Sequence, residues 1–283
     1  MIETVPAQRR ITLRDLLTLC LGFGYITAAG SYPIQDAASK AQILSGPPDP
    51  PSMPNPDEWM RRLGELPLMF QPGERWMYPT GFTVLGVLLE RNSGMALGQL
   101  LHERVLEPLG MVDTGFFVPP SKLNRLAACY VVNTGGLELH DGVTDSKWSE
   151  SPAFADANGG MVSTVDDYVA FGAMLLNRGE HGGRALLSRS AVELMTSNQI
   201  TAQQKAGTSF LGDHGWGFGV SVLTGHGDGA STPGRFGWDG GFGTSWYSDP
   251  QAGLVGVLMT QVLASPARID TDFWDTVYGS KAD

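Results

Sequence analysis

Phe236-Gly237-Trp238-Asp239-Gly240-Gly241-Phe242-Gly243-Thr244 opens the part of the chain that decides the fold. Phe236 to Trp238 and Gly243 to Tyr247 are short apolar or alternating runs, and the glycines between them mark a turn. Downstream, Asp249-Pro250-Gln251-Ala252-Gly253 makes a second turn into the run Leu254 to Val262, and upstream Gly217 to Leu223 has the same character. Four such runs read as an antiparallel meander. An amphipathic helix from about Ile269 to Tyr278, with Phe273, Trp274 and Val277 on its inner face, closes it.

Upstream of the meander the period changes from two to between three and four. Ser163 and Thr164 precede an acidic first turn, and Val165, Tyr168, Val169, Phe171, Met174 and Leu175 form one apolar face that ends near Gly179. Thr80 to Arg91 predicts another helix, stopped at Gly94, a natural left-handed cap. Shorter helices are expected over Asp57 to Leu63 and Leu97 to Val105. Between them and the N-terminus, Gly46-Pro47-Pro48-Asp49-Pro50-Pro51 and Pro54-Asn55-Pro56 exclude helix interior and central strand, so this segment is a loop. Helices in the middle and strands at the end make the class α+β. The expected organisation is a single domain over 1–283, helical over about 12–200, with the sheet and final helix over about 213–280.

The 283 residues, 42% hydrophobic and 17% charged, suffice for a substantial core. Nineteen Lys and Arg against 29 Asp and Glu give a formal charge of -10, which argues against a nucleic-acid partner. Cys20 and Cys129 cannot build a disulfide framework and are expected to be buried thiols. His102, His140, His181, His214 and His226 never fall at metal-ligand spacing, so neither a metal nor another cofactor is expected. Arg9-Arg10 ahead of the apolar run Leu16 to Ala29 imitates an export signal. However, Arg14 and Asp15 interrupt it, and Thr12 with Asp15 reads as a capped helix start, which favours a cytoplasmic location. No run approaches the roughly 20 apolar residues of a membrane-spanning helix.

Three stretches stand in a telling order: Ile11-Thr12-Leu13-Arg14-Asp15-Leu16-Leu17-Thr18, then Gln71-Pro72-Gly73-Glu74-Arg75-Trp76-Met77-Tyr78 leading to Val84-Leu85-Gly86, then Gly237 to Thr244. Glu107-Pro108-Leu109-Gly110-Met111 and Gly159-Gly160-Met161-Val162-Ser163-Thr164 lie between them. The set resembles the serine β-lactamase superfamily, specifically its class C-like branch of penicillin-binding-protein homologues and family VIII carboxylesterases. The resemblance runs from about Thr12 to the final helix and implies a β-lactamase/transpeptidase-like fold.

That family acylates a serine in a Ser-x-x-Lys motif, with the lysine one helical turn on assisting deprotonation. Three residues before Lys40, Lys122, Lys147, Lys205 and Lys281 stand Ala37, Pro119, Thr144, Ala202 and Tyr278, so no lysine here has that serine. The resemblance therefore implies a chain that begins after the N-terminal strands and nucleophile helix, as a fragment, a misplaced start or a degenerate paralogue. A sheet lacking those strands would show a bare edge, so self-association is expected.

By resemblance, Tyr78 is the general base or acid, and Thr80 stands where the family motif has asparagine. Trp238-Asp239-Gly240-Gly241 matches the Trp-Gly-Gly type of the esterases, with the Gly241 N–H as the oxyanion donor and Trp238, Asp239, Gly240 and Thr80 facing substrate. One such donor is worth about 3 kcal/mol. A cation at Trp238 would pair with a carboxylate, whereas an indole with Asp239 beside it would repel one, which favours neutral small-molecule esters or amides. Tyr78 and Trp238, about 160 positions apart, must then line one cleft, with a gap between them wide enough for a helix. The competing expectation is a non-catalytic binding or interaction module. His102-Glu103 reads as surface, Asp166-Asp167 as a helix-dipole pair, and Gly215, Gly217 and Gly219 as a strand entry.

Overall fold

Thr12 caps the first helix: its hydroxyl accepts from Asp15 N while the Asp15 carboxylate accepts from Thr12 N, and Arg9 closes on the same carboxylate at 2.7 Å. The segment that imitates an export signal is thus tied into the folded structure at its start. The computed structural model describes residues 4–44, 46–225, 231–264 and 268–279. His226 and Lys281, weighed above for metal and nucleophile chemistry, lie outside the described residues.

The helices are α1 (Leu13–Leu17), α2 (Pro33–Lys40), α3 (Pro56–Gly64), α4 (Thr80–Ser93), α5 (Leu97–Leu101), α6 (Glu107–Leu109), α7 (Val165–Leu176), α8 (Arg189–Met195), α9 (Ala202–Lys205) and α10 (Arg268–Gly279). A wider helical turn, His102–Leu106, joins α5 to α6. The strands are β1 (Cys129–Asn133), β2 (Gly136–Asp141), β3 (Glu180–His181), β4 (Arg184–Ala185), β5 (His214–Trp216), β6 (Ser221–Leu223), β7 (Phe236–Gly240), β8 (Thr244–Asp249), β9 (Leu254–Met259) and β10 (Val262–Leu263).

The meander appears as an antiparallel sheet in the order β5-β6-β7-β8-β9. Trp238 stands opposite Trp246, and Asp239 opposite Ser245. One face meets α7: Phe236, Trp246, Val222, Met174 and Leu175 are all buried there. Against the other face lies α10, where Trp274 and Tyr278 are buried and donate to Ser245 Oγ at 2.9 Å and Asp249 Oδ2 at 2.8 Å. Arg235 lies over the Tyr247 and Trp274 rings at 3.9 and 4.2 Å, a cation–π contact that shields its guanidinium.

Helix α4 ends at Gly94, whose φ of 70° is the left-handed cap its position implies. The pair β1–β2, parallel to β10 through β1, falls within the stretch expected to be helical. Most of β2 is exposed, so it lacks the alternating apolar signal that marks a half-buried strand. Helix α2 is not marked by the sequence pattern either. Its opening Pro33, tolerated in a first turn, obscures an otherwise regular helix. Both cysteines are buried free thiols.

Candidate active site

The site is built around the turn at Gln71 to Glu74. Glu74 N donates to Gln71 O at 3.0 Å, Gly73 N to Cys20 O at 2.7 Å, and Gln204 Nε2 to Gly73 O at 2.8 Å. Beyond it, Trp76 N donates to Gln204 O and Met77 N to Leu19 O, each at 2.8 Å, and the Tyr78 carbonyl accepts from Tyr25 N at 2.7 Å. The segment is therefore laced on both sides, which fixes where the Tyr78 side chain leaves it.

Tyr78 enters an aromatic column. Its ring stacks on Trp76 at 6.2 Å and meets Phe210 at 5.5 Å and Trp238 at 5.6 Å. Trp238 in turn stands edge-on to Trp216 at 4.9 Å, which packs on Trp76 at 5.3 Å. Residues from the 76–82 segment, the 210–216 segment and β7 thus share one cluster. Tyr78 and Trp238 converge, but the helix-wide gap expected between them is not there. The reason is physical: two large half-buried rings lower their exposed apolar area by closing on each other, and each contact is worth about 0.5–1.5 kcal/mol beyond burial. Burial pushes the Tyr78 phenol above its ordinary range, the Trp238 indole hydrogen bond opposing and the Asp156 charge adding to the shift. The phenol therefore stays protonated at neutral pH.

Gly240 and Gly241 turn β7 into β8. Gly243 N donates to Gly240 O at 3.1 Å, and Ala264 N to Gly241 O at 2.8 Å. Above Gly241 lies the proline loop: a Cβ there would meet Pro47 at 3.5 Å. The same loop is fastened by Lys147 Nζ to Asp49 Oδ1 at 3.1 Å.

Asp239 does not join this face. Strand alternation sends it to the side opposite Trp238, where its carboxylate accepts from Ser245 Oγ at 2.6 Å and Tyr247 OH at 2.9 Å. Its proposed contact with substrate beside Trp238 is corrected accordingly. Thr80, the first residue of α4, is 1% exposed and lines a pocket with Tyr25, Asp156 and Asn158.

Asp156 and Asn158 were not singled out from the sequence. They sit in Phe154-Ala155-Asp156-Ala157-Asn158, where one acidic residue between alanines on an apolar run was the available signal. The loop packs so tightly on α4 that a Cβ on Gly86 would fall 2.9 Å from Ala157 Cβ. Asp156 Oδ1 accepts from Asn158 N at 3.0 Å. Burial, outweighing that bond and one from Thr83, pushes the Asp156 carboxyl up to about 6. Among the described residues no three His, Cys, Asp or Glu side chains gather as a metal ion would require, and no helix is long and apolar enough to cross a membrane.

This fold and site define a serine β-lactamase-type protein, and the Beta-lactamase family matches residues 3–277, so the chain belongs to that family. It is similar to Protein Rv1367c of Mycobacterium tuberculosis (strain ATCC 25618 / H37Rv), at 37% identity over 92% of this chain and 64% of that protein. Esterase EstB of Burkholderia gladioli is 29% identical over 88% of this chain and 64% of its own length. The chain thus spans somewhat under two thirds of each of these relatives. Among solved structures, EstCE1, described as a hydrolase with promiscuous acyltransferase activity, shares the fold with a TM-score of 0.78. That match is 24% identical and covers 95% of this chain and 72% of that one.

The Asp156 shift has a sign that can be checked. Between about pH 4 and 6 the folded chain holds a proton there that the unfolded chain has lost, so this group's contribution to stability falls as pH rises through that window. Asp156→Asn removes the penalty. Its melting temperature should exceed the parent's at about pH 8, with the gap closing below about pH 4. Thermal unfolding across pH measures this, and a gap that does not change with pH would contradict the assignment.

Proposed function

We propose that these residues form the substrate-facing part of a serine hydrolase that cleaves neutral carboxylic esters, its acylated serine carried on a Ser-x-x-Lys segment not present among the 283 residues. The observation that carries this reading is the contact of Tyr78 with Trp238 at 5.6 Å, made from opposite regions of the fold beside the Gly240–Gly241 turn. A neutral phenol there suits protonation of a leaving alcohol, and a lysine brought beside it would lower its pKa enough for base catalysis. The Gly241 N–H is assigned to the developing oxyanion, and Trp238 offers no cation to a carboxylate. The printed name of the Burkholderia relative, an esterase, points the same way.

A second reading, a non-catalytic binding module, is favoured by one observation: none of the five lysines has serine three positions before it, and among the described residues no cation draws the phenol pKa down, the Trp238 hydrogen bond alone opposing burial. The two readings separate on turnover. The 283-residue chain should hydrolyse neither p-nitrophenyl butyrate nor nitrocefin above background. The chain extended by its in-frame upstream coding sequence should cleave the ester well above nitrocefin, and Tyr78→Phe in it should lower kcat by about a hundredfold or more. Ester turnover by the 283-residue chain that a substitution within it abolishes, or a preference of the extended protein for nitrocefin, would overturn the esterase reading.

We further propose self-association through β9. Among the described residues this strand pairs with β8 alone, leaving a six-residue edge of Leu, Val, Met and one glycine, Gly256, with unpaired backbone groups on its other side. Size-exclusion chromatography should show an oligomer that Leu258→Lys returns to monomer, whereas a parent chain that elutes as a compact monomer would dismiss the interface.

A further inference from the structure

In Trp238-Asp239-Gly240-Gly241, Trp238 belongs to the aromatic column and the glycines make the turn, whereas ester cleavage gives Asp239 no task. Asp239 is exposed, yet it gathers two buried hydroxyls. Ser245 stands directly opposite it across β7 and β8, and Tyr247 lies two residues further along the same face. Ser245 Oγ donates at 2.6 Å and Tyr247 OH at 2.9 Å, one to each carboxylate oxygen. The serine is oriented in turn by Trp274 of α10, whose indole N–H donates to Ser245 Oγ at 2.9 Å. An indole nitrogen only donates and a hydroxyl carries one proton, so the Ser245 proton is committed to Asp239. Directed bonds thereby join α10, β8 and the last residue before the glycines.

The segment that follows, Gly240-Gly241-Phe242-Gly243, has three glycines in four residues. Gly240 leaves no room for a side chain, since a Cβ there would collide with Thr244 Oγ1, and Gly243 sits at a φ of 69°. Glycine has the widest backbone freedom of any residue, while an N–H that stabilises developing charge must be held in place before the charge appears. Backbone bonds secure the far side of the turn, with Ala264 N donating to Gly241 O at 2.8 Å and Thr260 N to Gly243 O at 3.3 Å. The near side is secured by the side-chain clasp on Asp239.

We propose that Asp239 is a positioning residue: clasped by Ser245 and Tyr247, and anchored through Ser245 to Trp274, it fixes the entry to the Gly240–Gly241 turn and so the direction of the Gly241 N–H. What that N–H does rests on the ester-cleaving reading; what holds it rests on the hydrogen bonds. The role is geometric, so asparagine fills it. Its amide oxygen accepts from Ser245, and its amide nitrogen donates to the Tyr247 hydroxyl, which accepts as readily as it donates. Alanine breaks both bonds.

One arm of the test uses the 283-residue chain and needs no turnover. Hydrogen–deuterium exchange, read by mass spectrometry, compares the peptide spanning 239–248 with the peptide 166–176 as reference. Asp239→Ala should speed exchange in the turn about tenfold and leave the reference peptide unchanged, and Asp239→Asn should stay within about twofold of the parent. The other arm uses the chain extended by its in-frame upstream coding sequence, with p-nitrophenyl butyrate. There Asp239→Ala should lower kcat about tenfold or more and move KM less than about twofold, because a misdirected oxyanion donor weakens transition-state and not ground-state binding. Asp239→Asn should restore most of kcat. Tyr247→Phe removes one bond of the clasp without leaving a buried hydroxyl unpaired, and should change both readouts about threefold, so it decides the matter if Asp239→Ala fails to fold. Turn exchange unmoved by Asp239→Ala and Tyr247→Phe, a loosened turn with full kcat, or an Asp239→Asn variant as impaired as Asp239→Ala would each overturn the proposal. An extended parent without any ester turnover would count against the ester-cleaving reading alone, and the exchange arm would still decide the clasp.

Discussion

The contact of Tyr78 with Trp238 ties two parts of the chain that share no local sequence. Tyr78 leaves a segment laced to the 19–25 stretch and to Gln204, and Trp238 leaves β7 of the sheet. Trp76, Trp216 and Phe210 complete the column, so helical region and sheet meet through large rings rather than through a single hydrogen bond. Offset and edge-on aromatic contacts hold both distance and angle, which is what a catalytic group needs from its surroundings. The glycine turn follows Trp238 and Asp239, its place set by the register of β7 and β8.

Around that column the polar groups divide by strand parity and by the proline between two neighbours. Trp238 faces the helical region, whereas Asp239 turns to the α10 side and is spent on Ser245 and Tyr247. Tyr78 points into the column, and Thr80, two residues on, points into the acceptor-rich pocket.

Much of this was legible in the residues. The meander, the helix Val165–Leu176 and the capped helix ending at Gly94 follow from period and cap chemistry, because their apolar faces are regular and their termini carry the residues that termini need. The hairpin β1–β2 was not legible, since β2 exposes nearly all its side chains and so shows no alternation. Tyr78 and Trp238 were found through the resemblance, and the placement of Asp239 could have been refined by applying the period of two to its own strand. Asp156 escaped because its partner Thr83 and its pocket neighbour Thr80 lie more than seventy positions away, joined to it by the close approach at Gly86, which no local pattern encodes. The closure of Tyr78 on Trp238 was likewise invisible, being a property of packing and not of spacing.

The central claim is that the Tyr78–Trp238 contact couples the helical region to the sheet. A double-mutant cycle on Tyr78→Ala and Trp238→Ala, read by urea unfolding, measures that coupling with the rest of the column in place. A coupling of about 0.5–1.5 kcal/mol is expected for rings in direct contact. Strictly additive losses, within about 0.3 kcal/mol, would show that the two side chains are stabilised independently and would contradict the account.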